Sequence, residues 1–388
     1  MTSASRSFLG AGISNIISSA TYSAVVAGAS NRIDTASQNI FIGAGDANII
    51  NGTGNARFIG AGISNRITDS QYSAIVAGST NTITSSLQAI IGAGLTNIIQ
   101  TSSTNSAIGT GTLNTITASS HVLIGCGVSN LIENSGRSLI GAGEGNIING
   151  TSDISRSSMI GVGLTNRITS TTRAFIGAGL TNIIHTSSTN SAVVAGTLNG
   201  ITSSTTSFIG AGTDNDILNA NGAFMGSGTL NIINATSAAS RFHAIVSGSS
   251  NRITEGSSSF IGAGTLNVMT SPTSSAIVAG NNNSLSGATN FIGAGINNYI
   301  STSWAAIVSG NGNYITSRGR SFIGAGINNN ISAVTGSSTG DVAIVAGGSN
   351  TIFHCLSSFI GSGNSNIMQF SDLAGIVSGT GNDIYDGK

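Results

Sequence analysis

One short pattern recurs twenty-three times along this chain of 388 residues: glycine, two variable residues, asparagine, one variable residue and, in most copies, isoleucine. The first copy runs from Gly12 to Ile17 and the last from Gly379 to Ile384. Successive asparagines are 15 to 17 residues apart, except for three gaps of 20 or 21. Self-similarity at such a short period is typical of a solenoid, in which each copy supplies one layer of a stack. We therefore expect one elongated domain over residues 1–388, without separate caps.

Each copy has the pattern of two short β-strands. The segment from Phe41 to Gly45 is too short for a helix, its apolar positions alternate, and Ser/Thr/Asn/Gly-rich stretches bound it. The sequence predicts an all-β fold, a parallel β-solenoid (β-roll or β-helix) of about 23 repeats of 16–17 residues, with successive copies paired in register. Two coil sizes are compatible with the pattern. One turn contains either one repeat, which we favour, or two repeats.

The glycine and the asparagine of the pattern predict a structured corner. A glycine stands three residues before every repeated asparagine, which indicates a positive φ or a position too crowded for a Cβ atom. Asparagine tolerates the left-handed region and bonds neighbouring backbone, and stacked asparagines can form an amide ladder. The ladder we predict begins with Asn15, Asn31, Asn48, Asn65, Asn81, Asn97, Asn114 and Asn130.

The repeats are of two types. One reads Phe-Ile-Gly-Ala-Gly, as at Phe58, and the other reads Ala-Ile/Val-Val-Ala/Ser-Gly, as at Ala74. Where the first position is large the third is glycine, and where the first is alanine the third is valine. Both positions lie on the same face of a strand, so side-chain volume is exchanged between them, as close packing of neighbouring layers requires. From Phe224 onward the two types alternate without a break.

A further apolar position lies between the asparagine and the isoleucine of the pattern, and we expect it to point outward. A recurring exposed apolar position indicates an interface, and we hypothesise that chains associate side by side through it. In the alternative interpretation, loops of the same chain cover these side chains. The predicted lateral interface contains Ile16, Ile49, Ile98, Leu131, Ile147, Ile183 and Ile232.

The ends of the repeat array and its three longer gaps give two more expectations. The terminal copies match the internal ones, so we expect the first layer of one molecule to pair with the last layer of the next, in head-to-tail filaments. The longer gaps insert about four residues each, and we expect side contacts there. The inserted segments are Thr151 to Arg156, Thr236 to Arg241, and Gly336 to Asp341.

Composition argues against charged partners and membrane spans. Only 7% of the residues are charged, the net charge is zero, and the twelve arginines are spread along the chain beside the single lysine, Lys388. This pattern argues against nucleic-acid binding. No apolar run approaches a membrane span, and the first residues do not resemble a secretory signal. Cys126 and Cys355 are expected to be free thiols, with Cys126 a small buried apolar residue.

No catalytic or metal-binding constellation is recognisable in the sequence. The four histidines and thirteen carboxylates are scattered, and His354 beside Cys355 is the only adjacent pair of potential metal ligands. We therefore expect no enzyme activity, no metal and no cofactor. An ice-binding role would need an array of outward threonines, and the Thr-x-Thr pattern occurs only at Thr82 and Thr115, too few for such an array.

The segments Ser23 to Gly28, Ser73 to Gly78 and Ser275 to Gly280 resemble rungs in the head domains of trimeric autotransporter adhesins. The whole repeat is also similar to Ile-Gly-x-Gly-x-x-Asn arrays in fibre-like proteins of phages, giant viruses and some bacteria. These resemblances imply a β-roll and a surface fibre or adhesive role, outside the cell or on a virion or cell surface. We expect a structural protein whose main partner is itself. The alternatives are an adhesin that binds a receptor or glycan through its loops and, third, an enzyme of the pectate-lyase sort.

Overall fold

The computed structural model describes residues 3–150, 155–235, 241–316, 319–333 and 341–385, with only the backbone described at 155 and 156. The described residues contain β-strands and no helix, and the strands form a parallel β-solenoid, as predicted. Two long sheets run through the repeats. We call the sheet of strands before each repeated glycine the glycine sheet, and the sheet of strands after each repeated asparagine the asparagine sheet. The chain divides into two compact units, Met1–Leu198 and Asn199–Lys388, which are described separately.

The unit Met1–Leu198 contains both sheets and one additional strand pair, Ser135–Gly136 with Ser155–Arg156. Its glycine-sheet strands are Phe8–Leu9, Ala24–Val25, Ile40–Ile42, Arg57–Ile59, Ala74–Ile75, Ile90–Ile91, Ala107–Ile108, Leu123–Ile124, Leu139–Ile140, Met159–Ile160, Phe175–Ile176 and Ala192–Val193. Its asparagine-sheet strands are Ile16–Ser18, Arg32–Asp34, Ile49–Asn51, Arg66–Thr68, Thr82–Thr84, Ile98–Gln100, Thr115–Thr117, Leu131–Glu133, Ile147–Asn149, Arg167–Thr169 and Ile183–His185.

The unit Asn199–Lys388 repeats the same arrangement. Its glycine-sheet strands are Phe208–Ile209, Phe224–Met225, Ala244–Ile245, Phe260–Ile261, Ala276–Ile277, Phe291–Ile292, Ala305–Ile307, Ser321–Ile323, Val342–Ile344, Ser358–Ile360 and Gly375–Ile376. Its asparagine-sheet strands are Gly200–Thr202, Asp216–Leu218, Ile232–Asn234, Arg252–Thr254, Val268–Thr273, Ser284–Ala288, Tyr299–Ser301, Tyr314–Ile315, Asn330–Ser332, Thr351–Phe353, Ile367–Gln369 and Asp383–Tyr385.

One repeat makes one turn of the solenoid. Phe8 pairs in parallel with Ala24, and Ile16 pairs in parallel with Arg32, so each strand lies beside the equivalent strand of the next repeat. A turn of two repeats would place equivalent residues on opposite sides of the core, and this alternative is wrong. Single parallel bridges at the two corners, as at Ile13 with Ala29, continue the backbone pairing around the turn.

The three longer repeats leave the register of the asparagine sheet unchanged. Across them, Ile147 pairs with Arg167, Ile232 with Arg252, and Asn330 with Thr351, each at the same place in the repeat. The predicted side contacts on these insertions fall mostly on 151–154, 236–240 and 334–340, outside the described residues. The described strands on either side of each insertion keep their register.

The core of each turn is formed by a few inward side chains. The middle residue of the asparagine strand and the last residue of the glycine strand, such as Ile50 and Ile42, are fully buried. Small residues such as Ser73 and Ser86 fill the inward positions between each asparagine-sheet strand and the next glycine-sheet strand. Because each turn contacts only its neighbours, the stability of the stack is approximately a sum of turns and of interfaces between turns.

Candidate assembly surfaces

The corner between the sheets explains the repeated glycine. All twenty-three of these glycines have φ between about 104° and 136°, where a Cβ atom is strained. At Gly143 a Cβ atom would also lie 2.0 Å from the carbonyl oxygen of Gly163 in the next turn. Both reasons predicted from the sequence therefore hold. The left-handed residue of the corner is the one before the asparagine, as at Ser64 and Thr165.

The predicted asparagine ladder is confirmed, and Asn97 shows its geometry. Its Nδ2 donates to Asn81 Oδ1 at 3.1 Å, to the Ala93 carbonyl at 3.1 Å and to the Gly111 carbonyl at 2.8 Å. Its Oδ1 accepts from the Asn114 backbone N–H at 3.0 Å and from Asn114 Nδ2 at 3.1 Å. Each amide thus fastens its own corner and joins three consecutive turns.

The ladder is a structural element and not a binding surface. Asn97 and its neighbours in the ladder are completely buried, so their amides are satisfied within the stack and do not face a partner. A buried polar group stabilises a fold only when its hydrogen bonds are made, and here donors and acceptors of adjacent turns match one another. The bond between the amides of adjacent turns occurs from the first pair, Asn31 with Asn15, to the last, Asn382 with Asn366.

The outer face of the asparagine sheet contains the predicted lateral interface. Ile16 is exposed, and Ile49, Ile98, Leu131, Ile147, Ile183 and Ile232 are half-buried at equivalent places. The column they form is interrupted by polar and charged residues. Arg32 and Arg66 lie on the two sides of Ile49, and Asp216 and Arg252 lie on the two sides of Ile232. The set therefore forms separated apolar spots, of which the pair Leu131 and Ile147 spans two adjacent turns.

The outer face of the glycine sheet is the larger apolar surface, which sequence reasoning missed. In the strand Ile40–Ile42 the second isoleucine is fully buried, so Phe41 and the following Gly43 face solvent. Phe41 is 36% exposed and stacks on Phe58 of the next turn, with ring centroids 5.4 Å apart. The volume exchange between first and third positions thus occurs outside the core.

The sequence contains a signal that identifies which face of the glycine sheet is buried. The position of Ile42 is nearly always isoleucine or valine, whereas the position of Phe41 varies among Phe, Ala, Leu, Ile and Met. A close-packed core tolerates little change of volume, so the less variable position is the buried one.

Cys126 was also assigned wrongly: it is exposed at the Ala position after a glycine strand, whereas Cys355 is buried, and both thiols are free as expected.

Arg57 and Asp216 are two of the groups whose pKa values are shifted by burial. Burial lowers the pKa of Arg57 to about 10, against a smaller opposing effect of Asp69. The guanidinium donates from Nη1 to the Asn51 carbonyl at 2.6 Å and from Nη2 to Thr35 Oγ1 at 3.1 Å, which identifies it as a structural cross-link. Burial, and then the neighbouring Asp214, raises the pKa of Asp216.

His243 makes the stability of the unit Asn199–Lys388 depend on pH. It occupies an inward position where the next turn carries Ser259, and burial lowers its pKa more than the Gly256 backbone and Glu255 raise it. Below about pH 6.5 the unfolded chain therefore binds more protons than the folded chain, and stability decreases as the pH falls. We expect a loss of up to about 1.4 kcal/mol per pH unit below that point.

Denaturant unfolding of the protein and of its His243→Ser variant at neutral pH and near pH 5 measures this effect. The difference between the two proteins isolates the histidine from the other titrating groups. A stability difference that does not change with pH would contradict the prediction.

One cleft brings potential metal ligands close together. His354, Cys355 and Asp372 line a cavity of about 270 Å³, in which Cys355 Sγ donates to the Phe353 carbonyl and Asp372 accepts from the Leu356 backbone. Burial raises the pKa of Cys355, which favours the unreactive thiol. Within the described ranges, no group of three or more His, Cys, Asp or Glu residues could hold a metal ion.

Among the same residues, no helix is long and apolar enough to cross a membrane. Comparison with models of known protein families gives no match, and comparison with the curated proteins gives none either.

Proposed function

We propose that this chain is a non-enzymatic structural protein whose turns stack head to tail into a fibre or surface filament, outside the cell or on a virion or cell surface. The observation that supports the proposal is the polarity of the asparagine ladder. Within each compact unit, an asparagine between two others accepts from the following turn and donates to the preceding one, as Asn31 does between Asn15 and Asn48. The two edges of any turn are therefore complementary to each other.

The same complementarity is available between molecules. Among the described turns, Asn15 bonds to the following asparagine and Asn382 bonds to the preceding one, Asn366. A second molecule that places its Asn15 turn beside the Asn382 turn of the first would continue the ladder without a change of register. Such a contact is heterologous and does not close, so it produces filaments. Main-chain pairing at sheet edges is an established mode of protein association.

The backbone N–H of Asp383 provides a direct test. In the preceding turns the equivalent N–H donates to the next turn, as Ile367 donates to the Asn382 carbonyl at 2.8 Å and Thr351 to the Asn366 carbonyl at 2.8 Å. Asp383→Pro removes this axial donor and leaves the pairing to the preceding turn in place. Asp383→Thr is the matched control, because Thr351 occupies the same place in another turn.

Negative-stain electron microscopy at low and high protein concentration measures the result. We expect the wild type and Asp383→Thr to form long unbranched filaments at high concentration, and Asp383→Pro to remain as short particles. Discrete particles of the wild type at both concentrations, or filaments of equal length from the proline variant, would contradict head-to-tail stacking.

A further inference from the structure

The outer glycine face of the unit Asn199–Lys388 alternates bulky and small residues in two columns. Phe260 lies beside Ala276, which lies beside Phe291, and the third positions of these turns are Gly262, Val278 and glycine again. Each turn thus presents one bulky group, in the first column or the third. The first column reads Phe224, Ala244, Phe260, Ala276, Phe291, Ala306, Phe322, Ala343 and Phe359.

The alanine turns leave depressions between the phenylalanine rings. Except for Phe359, each ring leans over the glycine of its own turn: Phe260 Cε1 lies only 3.2 Å from the place of a Cβ atom on Gly262. Phe359 leans instead toward Gly375 of the next turn. A depression of about 300 Å³ lies over Ala306, between Phe291 and Phe322, with Trp304 at its edge. At this turn a cavity lies between two aromatic projections, and the alternation of phenylalanine and alanine repeats every two turns.

The exposed area is large enough for a stable pair of molecules. Along this face the phenylalanines are 36–45% exposed and the third-column valines 41–74% exposed. With about 200 Å² for a phenylalanine side chain, these residues expose roughly 800 Å² of apolar surface. The largest apolar patch of a typical monomer is about 300–600 Å², and one side of a standard protein interface is about 800 Å². Arg320 is the only charged residue that lines the depression.

We propose that this face packs against the same face of a second copy of the chain. A two-fold axis parallel to the strands and midway between two turns places each phenylalanine opposite an alanine and each valine opposite a glycine. This contact is isologous, and the two sheets would lie about 10 Å apart, as in a β-sandwich. The biological purpose of this pairing rests on the proposed structural role. The contact itself is lateral and does not require end-to-end stacking.

The first test compares charge substitutions on the two outer faces, in the Asp383→Pro background that blocks filament growth. Phe291→Glu places a carboxylate in the proposed contact, and Ile232→Glu places one on the asparagine sheet. Sedimentation velocity over the micromolar range should show dimers of the parent protein and of Ile232→Glu. For Phe291→Glu we expect the dissociation constant to rise at least about 30-fold, the loss typical of a central interface residue. Circular dichroism melting checks that each variant is folded.

The second test separates specific packing from general hydrophobic adhesion. Ala306→Phe with Val308→Gly converts one alanine turn into a phenylalanine turn, and adjacent phenylalanine turns already occur at Phe208 and Phe224, whose rings stack at 5.6 Å. The double variant is more aromatic but fills the cavity. Packing of phenylalanine against alanine predicts weaker association, whereas general adhesion predicts stronger association.

The fluorescence of Trp304, the only tryptophan of the chain, reports the contact directly. Its side chain is 61% exposed at the edge of the depression, so we expect a concentration-dependent blue shift in the parent protein that Phe291→Glu abolishes. A parent protein that stays monomeric, a double variant that associates more tightly, or an unshifted Trp304 in the dimer overturns the pairing. If dimers form but wild-type filaments do not, the proposed function is wrong and the pairing stands.

Discussion

Replacement of Gly143 by alanine is expected to cost about 3 to 6 kcal/mol of unfolding free energy, the sum of backbone strain and overpacking. At φ +108° an alanine is strained, and its Cβ atom would lie 2.0 Å from the Gly163 carbonyl and 2.7 Å from Asn146 Nδ2. Backbone atoms of the next turn cannot move aside without breaking the sheet pairing. The damage should therefore extend to the ladder and lower the cooperativity of unfolding.

Gly145 provides the matched control two residues further along the same corner. Its φ is +63°, and the atom nearest to an added Cβ atom would be Thr165 Cγ2 at 3.3 Å. Other turns place Ala47 or Ser64 at this position with a similar φ, so the fold accepts a side chain there. We expect Gly145→Ala to cost about 1 kcal/mol or less, because the loss of chain entropy in the unfolded state offsets part of the strain. Urea denaturation of both variants measures the difference, and equal losses would refute the crowded-corner explanation.

The repeat determines much of the fold because every copy must satisfy the same environment. A glycine that occurs in every turn indicates that every corner has the same backbone requirement. An asparagine that always follows three residues later predicts a ladder of stacked amides. Parallel, in-register pairing follows, since identical short segments pair best with themselves. For these reasons the architecture, the positive φ at Gly143 and the burial of Asn97 could be predicted.

The assignment of faces could not be derived in the same way. In the strand Ile40–Ile42 apolar residues point both inward and outward, so alternation defines two faces without showing which one is buried. This ambiguity is why the exposure of Phe41 was missed. Cys126 is exposed for another reason: it lies beyond the end of the strand Leu123–Ile124, where the alternation no longer applies. The position of the left-handed residue could not be predicted either. Asparagine is common at such a φ, but here Ser64 and its equivalents adopt it and the asparagine turns inward.

Of the two proposed lateral interfaces, the outer face of the glycine sheet is better supported than that of the asparagine sheet, because its apolar surface is larger. The isoleucines of the asparagine sheet are half-buried and separated by residues such as Arg66 and Arg252, whereas the glycine face is apolar over successive turns. An interface core is depleted of charged residues, which favours the glycine face. The predicted role of Ile98 and Ile183 stays a prediction, and Ile→Asn variants at both positions that leave association intact would contradict it.

Replacement of Asn97 tests the ladder itself. Asn97→Ala leaves the Asn114 N–H without its acceptor and the Ala93 carbonyl without the donor from Asn97. It also removes one of the two bonds to the Gly111 carbonyl, which keeps the Leu95 N–H. Each unsatisfied buried group costs about 1–3 kcal/mol, so we expect a loss of about 3 to 5 kcal/mol. Asn97→Asp should cost more at neutral pH, because a carboxylate oxygen would then face the Gly111 carbonyl at 2.8 Å, oxygen against oxygen.

The aspartate variant also predicts a distinctive pH dependence. Burial beside carbonyl oxygens would raise the pKa of the new carboxyl group in the folded state, so the folded protein would bind more protons than the unfolded chain. Its stability should then increase as the pH falls toward the raised pKa, whereas Asn97→Ala should not respond in this way. Asn105→Asp is the control, because Asn105 is exposed at a left-handed position outside the ladder. Urea denaturation at neutral and mildly acidic pH measures the three stabilities. Wild-type stability of both Asn97 variants would contradict the ladder's structural role.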